Sequence, residues 1–316
     1  KIMGIVGSVW GVSSIIGPFL GGGILEIATW HWLFFINIPI ALIAIILVIF
    51  TFHFPEEEIV SKTNFDVKGL SLFYVFIGLL MFSLLNQGQV VLNVLSLLLA
   101  LLVGFILYKV EKTTDHPFLP IVEFNKSIAL VFITDLLIAI CLMGFNLYIP
   151  VYLQEQLGLS PLQSGFVIFP LSVAWIILNF NLAKLEAKFS RKALYIGAFT
   201  FLIIGSIIII FGIKLPLLIA FSVILAGLSF GFVYTKDSVI VQEETSPHQM
   251  KKMMSFYALT KNLGSSIGST VMGYMYAMKS GLFGSNLHNV LGLAIVIAIV
   301  LVAIWSFIYK NKPVTN

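Results

Sequence analysis

Ionisable side chains inside long apolar segments are the residues of this sequence with the most evident chemistry. Asp135 lies within the apolar stretch 127–154, and none of its immediate neighbours is charged. Because desolvation disfavours the charged form of a carboxyl group, an acid in this position is suited to bind and release a proton. The sequence leaves two roles open for Asp135, which are a proton carrier and a structural partner for an interior lysine.

A second acid and an interior lysine lie in two later apolar segments. Lys236 and Asp237 are adjacent near the end of segment 215–240. Adjacent residues of a helix point in different directions, so at least one of the two can reach the membrane interface. Lys261 lies ten residues into segment 251–278, and we expect it to pair with Asp237 or Asp135 because a lone buried ammonium is costly. Asp135 and Asp237 are thus candidates for proton coupling with Lys261 as their charge partner, and a structural or interfacial role stays open for Asp237.

The overall composition places these charges inside a membrane. The chain has 316 residues, of which 59% are hydrophobic and 10% charged, with a mean hydropathy of +1.05. A soluble domain is about 25% charged, so the composition predicts an integral membrane protein. Cys141 is the only cysteine, which excludes an internal disulfide. The net charge of +4 gives no reason to expect nucleic acid as a partner.

Ten segments are long and apolar enough to cross a bilayer, which takes about 20 residues. If Lys1 is cytoplasmic, fourteen of the 18 lysines and arginines lie on the cytoplasmic side, and only Lys214 and Lys279 lie outside. This bias follows the positive-inside rule. We therefore expect an all-α integral membrane protein with both ends of this chain in the cytoplasm. The ten segments are 2–26, 31–53, 67–86, 90–109, 127–154, 161–183, 192–212, 215–240, 251–278 and 287–309.

The first segment is rich in glycine and contains a proline. Its small residues recur at steps of three or four, so they form one stripe on a helix. In lipid, small residues drive helix association because they let two backbones approach closely. Pro18 removes a backbone hydrogen bond and bends the helix. A second pair of this kind, Gly264 and Gly268, lies in segment 251–278.

The order of these residues resembles a known motif. The antiporter motif of major facilitator drug exporters reads G-x-x-x-G-P-x-x-G-G, and it is matched, with serine in the first place, by Ser13, Gly17, Pro18, Gly21 and Gly22. Residues 30–39, WHWLFFINIP, are similar to the W-x-W-x-F-x-I-N-x-P entry of the following helix. Residues 150–165 are similar to the P-x-Y-x-Q and G-x-S-P-x-x-x-G stretch of the 14-helix branch. The whole chain resembles the 14-helix drug:proton antiporters of the QacA and EmrB type.

This resemblance implies a major facilitator fold of two six-helix bundles with two linking helices between them. The ten segments would correspond to helices five to fourteen, with the first four apparently missing. The expected organisation is the last two helices of the N-terminal bundle in 1–54, a cytoplasmic loop in 55–66, the linking helices in 67–110, a second loop in 111–126, and the C-terminal six-helix bundle with a cytoplasmic tail in 127–316.

Aromatic and amide side chains in the fifth and sixth segments are candidates for a substrate cavity. Aromatic faces attract organic cations, and large apolar cavities accept drug-sized molecules. The alternative interpretation of these residues is an interfacial belt with ordinary packing. The candidates are Asn146, Tyr148, Tyr152, Gln154, Glu155, Phe169, Trp175 and Asn179.

Other classes of chemistry have no motif in the sequence. It contains no Walker A loop, no G-x-S-x-G elbow and no histidine cluster of metal-binding spacing. We therefore expect a transporter rather than an enzyme, without a cofactor or bound metal and with a proton gradient as its energy source.

The resemblance implies export of small hydrophobic or cationic drugs in exchange for protons by a monomer in the bacterial cytoplasmic membrane. A nutrient or metabolite facilitator or symporter on the same fold is the alternative, and a non-transporting membrane sensor is a third class.

Overall fold

The computed structural model describes residues 13, 16–17, 19–52, 66–86, 89–114 and 117–309. This part of the chain forms helices joined by short turns, and it contains no β-strand. Most of the first predicted segment, including Pro18, lies outside the described residues. The same is true of most of the predicted loop 55–66 and of the tail after residue 309.

The first helices described correspond to the first two predicted segments. Helix α1 covers residues 19–27. A short helix α2 (Trp32–Phe35) leads directly into α3 (Asn37–Thr51), and together they form an apolar span of 20 residues. No residue of α3 is buried in this structure.

The next two helices form an antiparallel hairpin. They are α4 (Val67–Leu85) and α5 (Val90–Thr113), which pack along each other. The side chain of Asp66 begins α4 by accepting a 2.7 Å hydrogen bond from the Gly69 amide, as an N-cap residue does. Gly104 of α5 leaves room for the Phe76 ring of α4.

The remaining helices form one bundle that holds the main apolar core. A 3-10 turn (Ile121–Glu123) precedes it. The caps Asn125, Ser160 and Ser190 begin three of its helices by accepting backbone hydrogen bonds. The elements are α6 (Lys126–Met143), a π-helix (Gly144–Tyr148), α7 (Ile149–Glu155), α8 (Pro161–Glu186), α9 (Arg191–Phe211), α10 (Pro216–Glu244), α11 (Met250–Ala277) and α12 (Leu287–Phe307).

The fifth predicted segment is continuous in the structure, but it is not a regular α-helix throughout. Lys126–Glu155 forms one helical unit of 30 residues, and the π-helix lies within it. Pro150 lacks an N–H group and cannot make the regular backbone bond, which fits a local widening of the helix one turn before it. Asn146, one of the predicted cavity residues, lies in the π-helix. Its side chain therefore points in a different direction from the one it would have in a regular α-helix.

Eight of the described helical units are long and apolar enough to cross a membrane. The predicted ninth segment, 251–278, is present as the 28-residue helix α11, yet it is not among those eight. Serine, glycine, threonine and lysine residues lower its hydropathy. It nevertheless runs alongside α6, with Met253 and Met272 completely buried.

Glycines set the closest contacts between the helices of the bundle. A Cβ atom on Gly268 of α11 would lie 2.7 Å from the Ile140 Cα atom of α6, and one on Gly264 would lie 2.8 Å from the Leu136 oxygen. The predicted small-residue pair therefore lies at a real helix–helix contact. Gly227 and Gly231 of α10 approach the backbone of α8 in the same way. These contacts fix α6 against α11 and α8 against α10.

We expect Gly268→Ala to lower the free energy of unfolding by about 1–3 kcal/mol, because the new methyl group overlaps backbone atoms that cannot move aside locally. Cys141 is fully buried on α6, so its reaction with a fluorogenic maleimide during heating reports the opening of this contact. Gly197→Ala on α9 is the matched control, because its Cβ atom would meet nothing within 4 Å. Equal unfolding temperatures for the two variants would contradict the packing argument.

Candidate functional site

Asp135 lies inside the bundle, between α6 and α11. The residue is fully buried, and its Oδ1 atom accepts a 2.8 Å hydrogen bond from the Tyr257 hydroxyl. Its Oδ2 atom is buried and has no hydrogen-bond partner among the described residues. A buried carboxyl group with one satisfied oxygen can hold a proton on the other, so this geometry is compatible with the predicted carrier role.

Asp237 has the same arrangement on α10. It is fully buried, its Oδ1 atom accepts a hydrogen bond from the Tyr195 hydroxyl, and its Oδ2 atom has no partner in the described part of the chain. The Tyr195 ring stacks on Trp305 with centroids 3.5 Å apart, and Trp305 Nε1 donates a 2.9 Å hydrogen bond to Thr134 Oγ1. Because Thr134 directly precedes Asp135, buried contacts connect the regions of the two acids across four helices.

The side chains of the adjacent residues Lys236 and Asp237 point in different directions, as their positions on a helix predict. Lys236 Nζ forms an ion pair of 2.6 Å with Glu186 Oε1 near the end of α8, and this acid is partly exposed. Asp237 instead points into the bundle and has no exposed surface. The twist of the helix therefore directs only the lysine toward the surface, and a proton-coupling or structural role for the buried Asp237 stays a prediction.

Lys261 does not form the direct ion pair that we expected from the sequence. Its Nζ atom lies 3.8 Å from the centroid of the Tyr234 ring on α10. No described carboxylate lies within 4.0 Å of this atom. Asp135 and Asp237 are both near enough to interact electrostatically with the ammonium. An aromatic face thus takes the place of the expected carboxylate, through a cation–π contact.

A cavity of about 430 Å³ opens between α1, the π-helix, α7 and α8. Of the predicted cavity residues, Asn146, Gln154 and Trp175 line it. Gly21 and Gly22 of the antiporter motif form part of the same wall. A mostly apolar lining with a few amide and hydroxyl groups suits a hydrophobic organic molecule of drug size.

Three predicted cavity residues on the outer part of this unit make other contacts. The Tyr148 hydroxyl donates a 2.8 Å hydrogen bond to the Ser269 carbonyl, and Glu155 Oε2 accepts a 3.2 Å bond from the Tyr276 hydroxyl. Tyr152 is buried in the main apolar core. Tyr148 and Glu155 thus attach the π-helix and α7 to α11, and all three residues lie outside the cavity lining.

The two remaining predicted residues lie on α8, also outside that lining. The Phe169 ring packs against Phe19 of α1 with centroids 5.2 Å apart. Asn179 Oδ1 accepts a 2.7 Å hydrogen bond from the Thr235 hydroxyl of α10. Phe169 therefore supports the contact with α1, and Asn179 holds α8 against α10.

Helix α1 closes one side of the cavity against the beginning of α8. A Cβ atom on Gly22 would lie 2.8 Å from the Leu162 Cα atom, so the small residue is required for this approach. Ser160 Oγ donates a 2.9 Å hydrogen bond to Glu26 Oε1 nearby. A Cβ atom on Gly17 or Gly21 would meet nothing within 4 Å among the described residues, and Ser13 is exposed. The close packing predicted for the stripe is therefore seen at Gly22.

An aromatic pair connects the cavity wall to Lys261. The Trp175 ring stacks on Tyr234, with centroids 5.4 Å and planes 8° apart. Gly231 lies three residues before Tyr234, and a Cβ atom there would lie 3.0 Å from the Trp175 Cα atom. Because Lys261 contacts the Tyr234 ring, two aromatic rings separate the cavity from the ammonium and its neighbouring acids.

Sequence reasoning did not identify the aromatic residues around the acids and Lys261, which are Tyr195, Tyr234, Tyr257 and Trp305. Two of them carried a usable signal, because Tyr257 precedes Lys261 by four residues and Tyr234 precedes Asp237 by three, which places each pair on one helix face. Tyr195 and Trp305 lie in apolar segments, where an aromatic residue is ordinary.

Comparison with known proteins gives a second view that is independent of this geometry. The Multidrug efflux pump SdrM of Staphylococcus aureus (strain N315) is 74% identical over 312 residues, which are 99% of this chain and 70% of that protein. The Multidrug transporter protein MdtP of Bacillus subtilis (strain 168) is 25% identical over 89% of this chain and 53% of its own length. The Riboflavin transporter RibZ of Clostridioides difficile (strain 630) is 27% identical over 88% of this chain and 61% of its own length.

The chain therefore spans between about half and 70% of the length of these relatives. A family model described as Major Facilitator Superfamily matches residues 1–269. This match covers most of the chain and confirms the superfamily that the motifs of its first two segments predicted. Because of this match and of the 74% identical relative, we conclude that the chain belongs to the Major Facilitator Superfamily.

Proposed function

We propose that this protein is a proton-coupled exporter of hydrophobic, often cationic, compounds. The observation that carries the proposal is the pair of fully buried carboxyl groups, each with one free oxygen, connected by aromatic rings to a cavity of drug-sized volume. The names of SdrM and MdtP, which describe multidrug transport, support it. An exporter of this kind moves its cargo unchanged, so it needs no catalytic group.

The two acids couple cargo to protons through their charge. Ionised carboxylates in a medium of low dielectric constant attract a cation in the nearby cavity, whereas protonated ones do not. A cation in the cavity in turn favours the ionised acids, because coupling between two sites is reciprocal. Exposure of the site to one side of the membrane at a time then exchanges cargo for protons.

Helix α1 has a mechanical role in this proposal. The close contact of Gly22 with α8 seals the cavity wall, and small residues let the two backbones slide past each other without large side chains in the way. Pro18 and the rest of the motif lie on the same helix in sequence. A tight seal limits proton leakage when no cargo is present.

The proposal includes the placement of the protein in its membrane. We place it as a monomer in the bacterial cytoplasmic membrane with both ends of this chain in the cytoplasm. The proton gradient is its energy source, and no cofactor is needed. The excess of lysines and arginines on one side of the predicted spans supports this orientation.

A transporter of a nutrient or metabolite is the second candidate. The name of RibZ, a riboflavin transporter with 27% identity, favours it. Fold alone does not separate the two candidates. They differ in cargo range, since an exporter of drugs accepts chemically unrelated cations, whereas a metabolite carrier accepts one compound and its close analogues.

Neutralising either buried acid should uncouple cargo from protons. We expect Asp135→Asn and Asp237→Asn each to reduce, by at least about tenfold, the proton movement that ethidium triggers in energised inside-out vesicles, because an amide cannot bind and release the proton. Asparagine keeps the shape and the acceptor oxygen, so each bond from tyrosine can remain. Asp66→Asn is the matched control, because asparagine also caps helices and Asp66 begins α4 rather than lying in the bundle.

If ethidium still triggers proton movement in both Asp135→Asn and Asp237→Asn, the assignment of these two acids as proton carriers is wrong. Absence of movement with the wild-type protein across several unrelated cations would favour the metabolite transporter instead.

The orientation can be tested with single cysteines. We expect Lys188→Cys to react with a membrane-impermeant maleimide only from the cytoplasmic side and Lys214→Cys only from the outer side. Both lysines are exposed, and the native Cys141 is fully buried and should remain unlabelled in the folded protein. The measurement is labelling in vesicles of both orientations. The reverse pattern would show that the membrane orientation is inverted.

A further inference from the structure

Lys261 is surrounded by polar groups whose bonding is incomplete. Its ammonium has three donors, yet within the described part of the chain it forms no hydrogen bond or ion pair and lies over the Tyr234 ring. Three buried oxygens have no partner among the described residues, and they are Asp135 Oδ2, Asp237 Oδ2 and the Tyr234 hydroxyl. All three belong to residues that interact electrostatically with one another or with Lys261.

An unsatisfied buried polar group is costly, so these oxygens would be stabilised by a donor brought within hydrogen-bond distance. Lysine has a flexible four-carbon stem, which lets its ammonium move several ångströms while the helix stays in place. A change of side-chain rotamer that carries Nζ from the Tyr234 ring toward the carboxylates would supply donors for their free oxygens. It would also leave the Tyr234 ring without its cation.

We propose that Lys261 is a tethered cation whose ammonium alternates between the Tyr234 ring and the carboxylates of Asp135 and Asp237. As a result, a cationic cargo and protons do not bind to the protein at the same time. This inference rests on the proposed function and gives it a positioning residue. When the acids are protonated, the ammonium remains on Tyr234 behind Trp175 and repels a cation in the cavity. When the acids are ionised, they attract the ammonium, and the aromatic pair becomes available to the cargo.

The charged and titratable groups around Lys261 are consistent with these two positions. Asp135 on α6 and Asp237 on α10 supply the negative charges, and each is also held by a tyrosine, Tyr257 on α11 or Tyr195 on α9. Lys236, a buried cation in the described part of the bundle, is already paired with Glu186 of α8. Lys236 therefore does not compete with Lys261 for these acids.

The proposal predicts an effect that depends on the charge of the ligand. In the purified full-length transporter at mildly acidic pH, Lys261→Met should tighten the binding of ethidium, a monocation, by about tenfold, because the competing ammonium is removed from the aromatic site. The affinity for a neutral lipophilic compound that displaces ethidium should change by less than about twofold. Lys261→Arg keeps the positive charge and should restore the wild-type ratio of the two affinities.

Lys236→Met is the matched control, because it removes a buried positive charge of the same bundle that does not contact Tyr234. It should leave the ratio of cation to neutral affinity unchanged. An equal change for both ligands in Lys261→Met, or no change for either, would overturn the proposal while the proposed function stands. If neither ligand binds the wild-type protein, the proposed function fails and the inference fails with it.

A measurement on the wild-type protein covers the case in which Lys261→Met does not fold. Lysines are labelled by reductive 13C-dimethylation, and the Lys261 signal is assigned by its absence in Lys261→Arg. We expect ethidium to shift this signal, because an ammonium 3.8 Å from a ring centroid experiences a ring current that is lost when it moves away. An unshifted Lys261 signal at saturating ethidium would overturn the proposal.

Discussion

The cost of removing two carboxyl groups from water is the constraint on which the arrangement of the bundle depends. Asp135 and Asp237 are fully buried in a part of the protein that lipid surrounds. Each is stabilised by a single tyrosine hydroxyl from a neighbouring helix, and no described lysine pairs with either. Each further hydrogen bond would stabilise the charged form of the carboxyl group, so a single bond leaves more of the cost of desolvation uncompensated.

Close packing of helices is what places these groups correctly. Gly264 and Gly268 let α11 approach α6, which brings Tyr257 to Asp135. Gly231 lets α10 approach α8, which brings Tyr234 onto the ring of Trp175 at the cavity wall. In lipid, apolar side chains alone give helices little reason to associate, so these small residues decide which faces meet. The chemistry of the site therefore depends on residues that have no functional group of their own.

The cavity and the acids are separate regions joined by aromatic side chains. The cavity lies between α1 and α8, while the acids lie deeper, on α6 and α10. Trp175 and Tyr234 bridge them, and Lys261 lies at the inner end of this bridge. In the proposed mechanism, this arrangement couples a cation in the cavity to the acids through the two rings and Lys261. That mechanism does not require the cargo to touch the carboxyl oxygens.

Sequence patterns were sufficient for several features of this protein. The apolar segments from residue 31 onward were found with boundaries within a few residues of the helices described, and the sequence motifs led to the superfamily that comparison then showed. Asp135, Asp237 and Lys261 were singled out because a charge in an apolar segment is visible in any sequence. Of the eight predicted cavity residues, however, only Asn146, Gln154 and Trp175 line the cavity. The others face neighbouring helices or the core instead, and which face of a helix meets which neighbour depends on packing that the sequence pattern does not show.

The sequence by itself thus determined the membrane class, the helical segments and the identity of the membrane-embedded charges, because hydropathy and charge are properties of single residues and short windows. Only the tertiary structure decided what each charge contacts. Asp237 meets Tyr195, Lys236 meets Glu186, and Lys261 meets a tyrosine ring instead of a carboxylate. Such partners lie on different helices, and their meeting depends on helix rotation and close approach, which are set by packing across the whole bundle rather than by any local pattern.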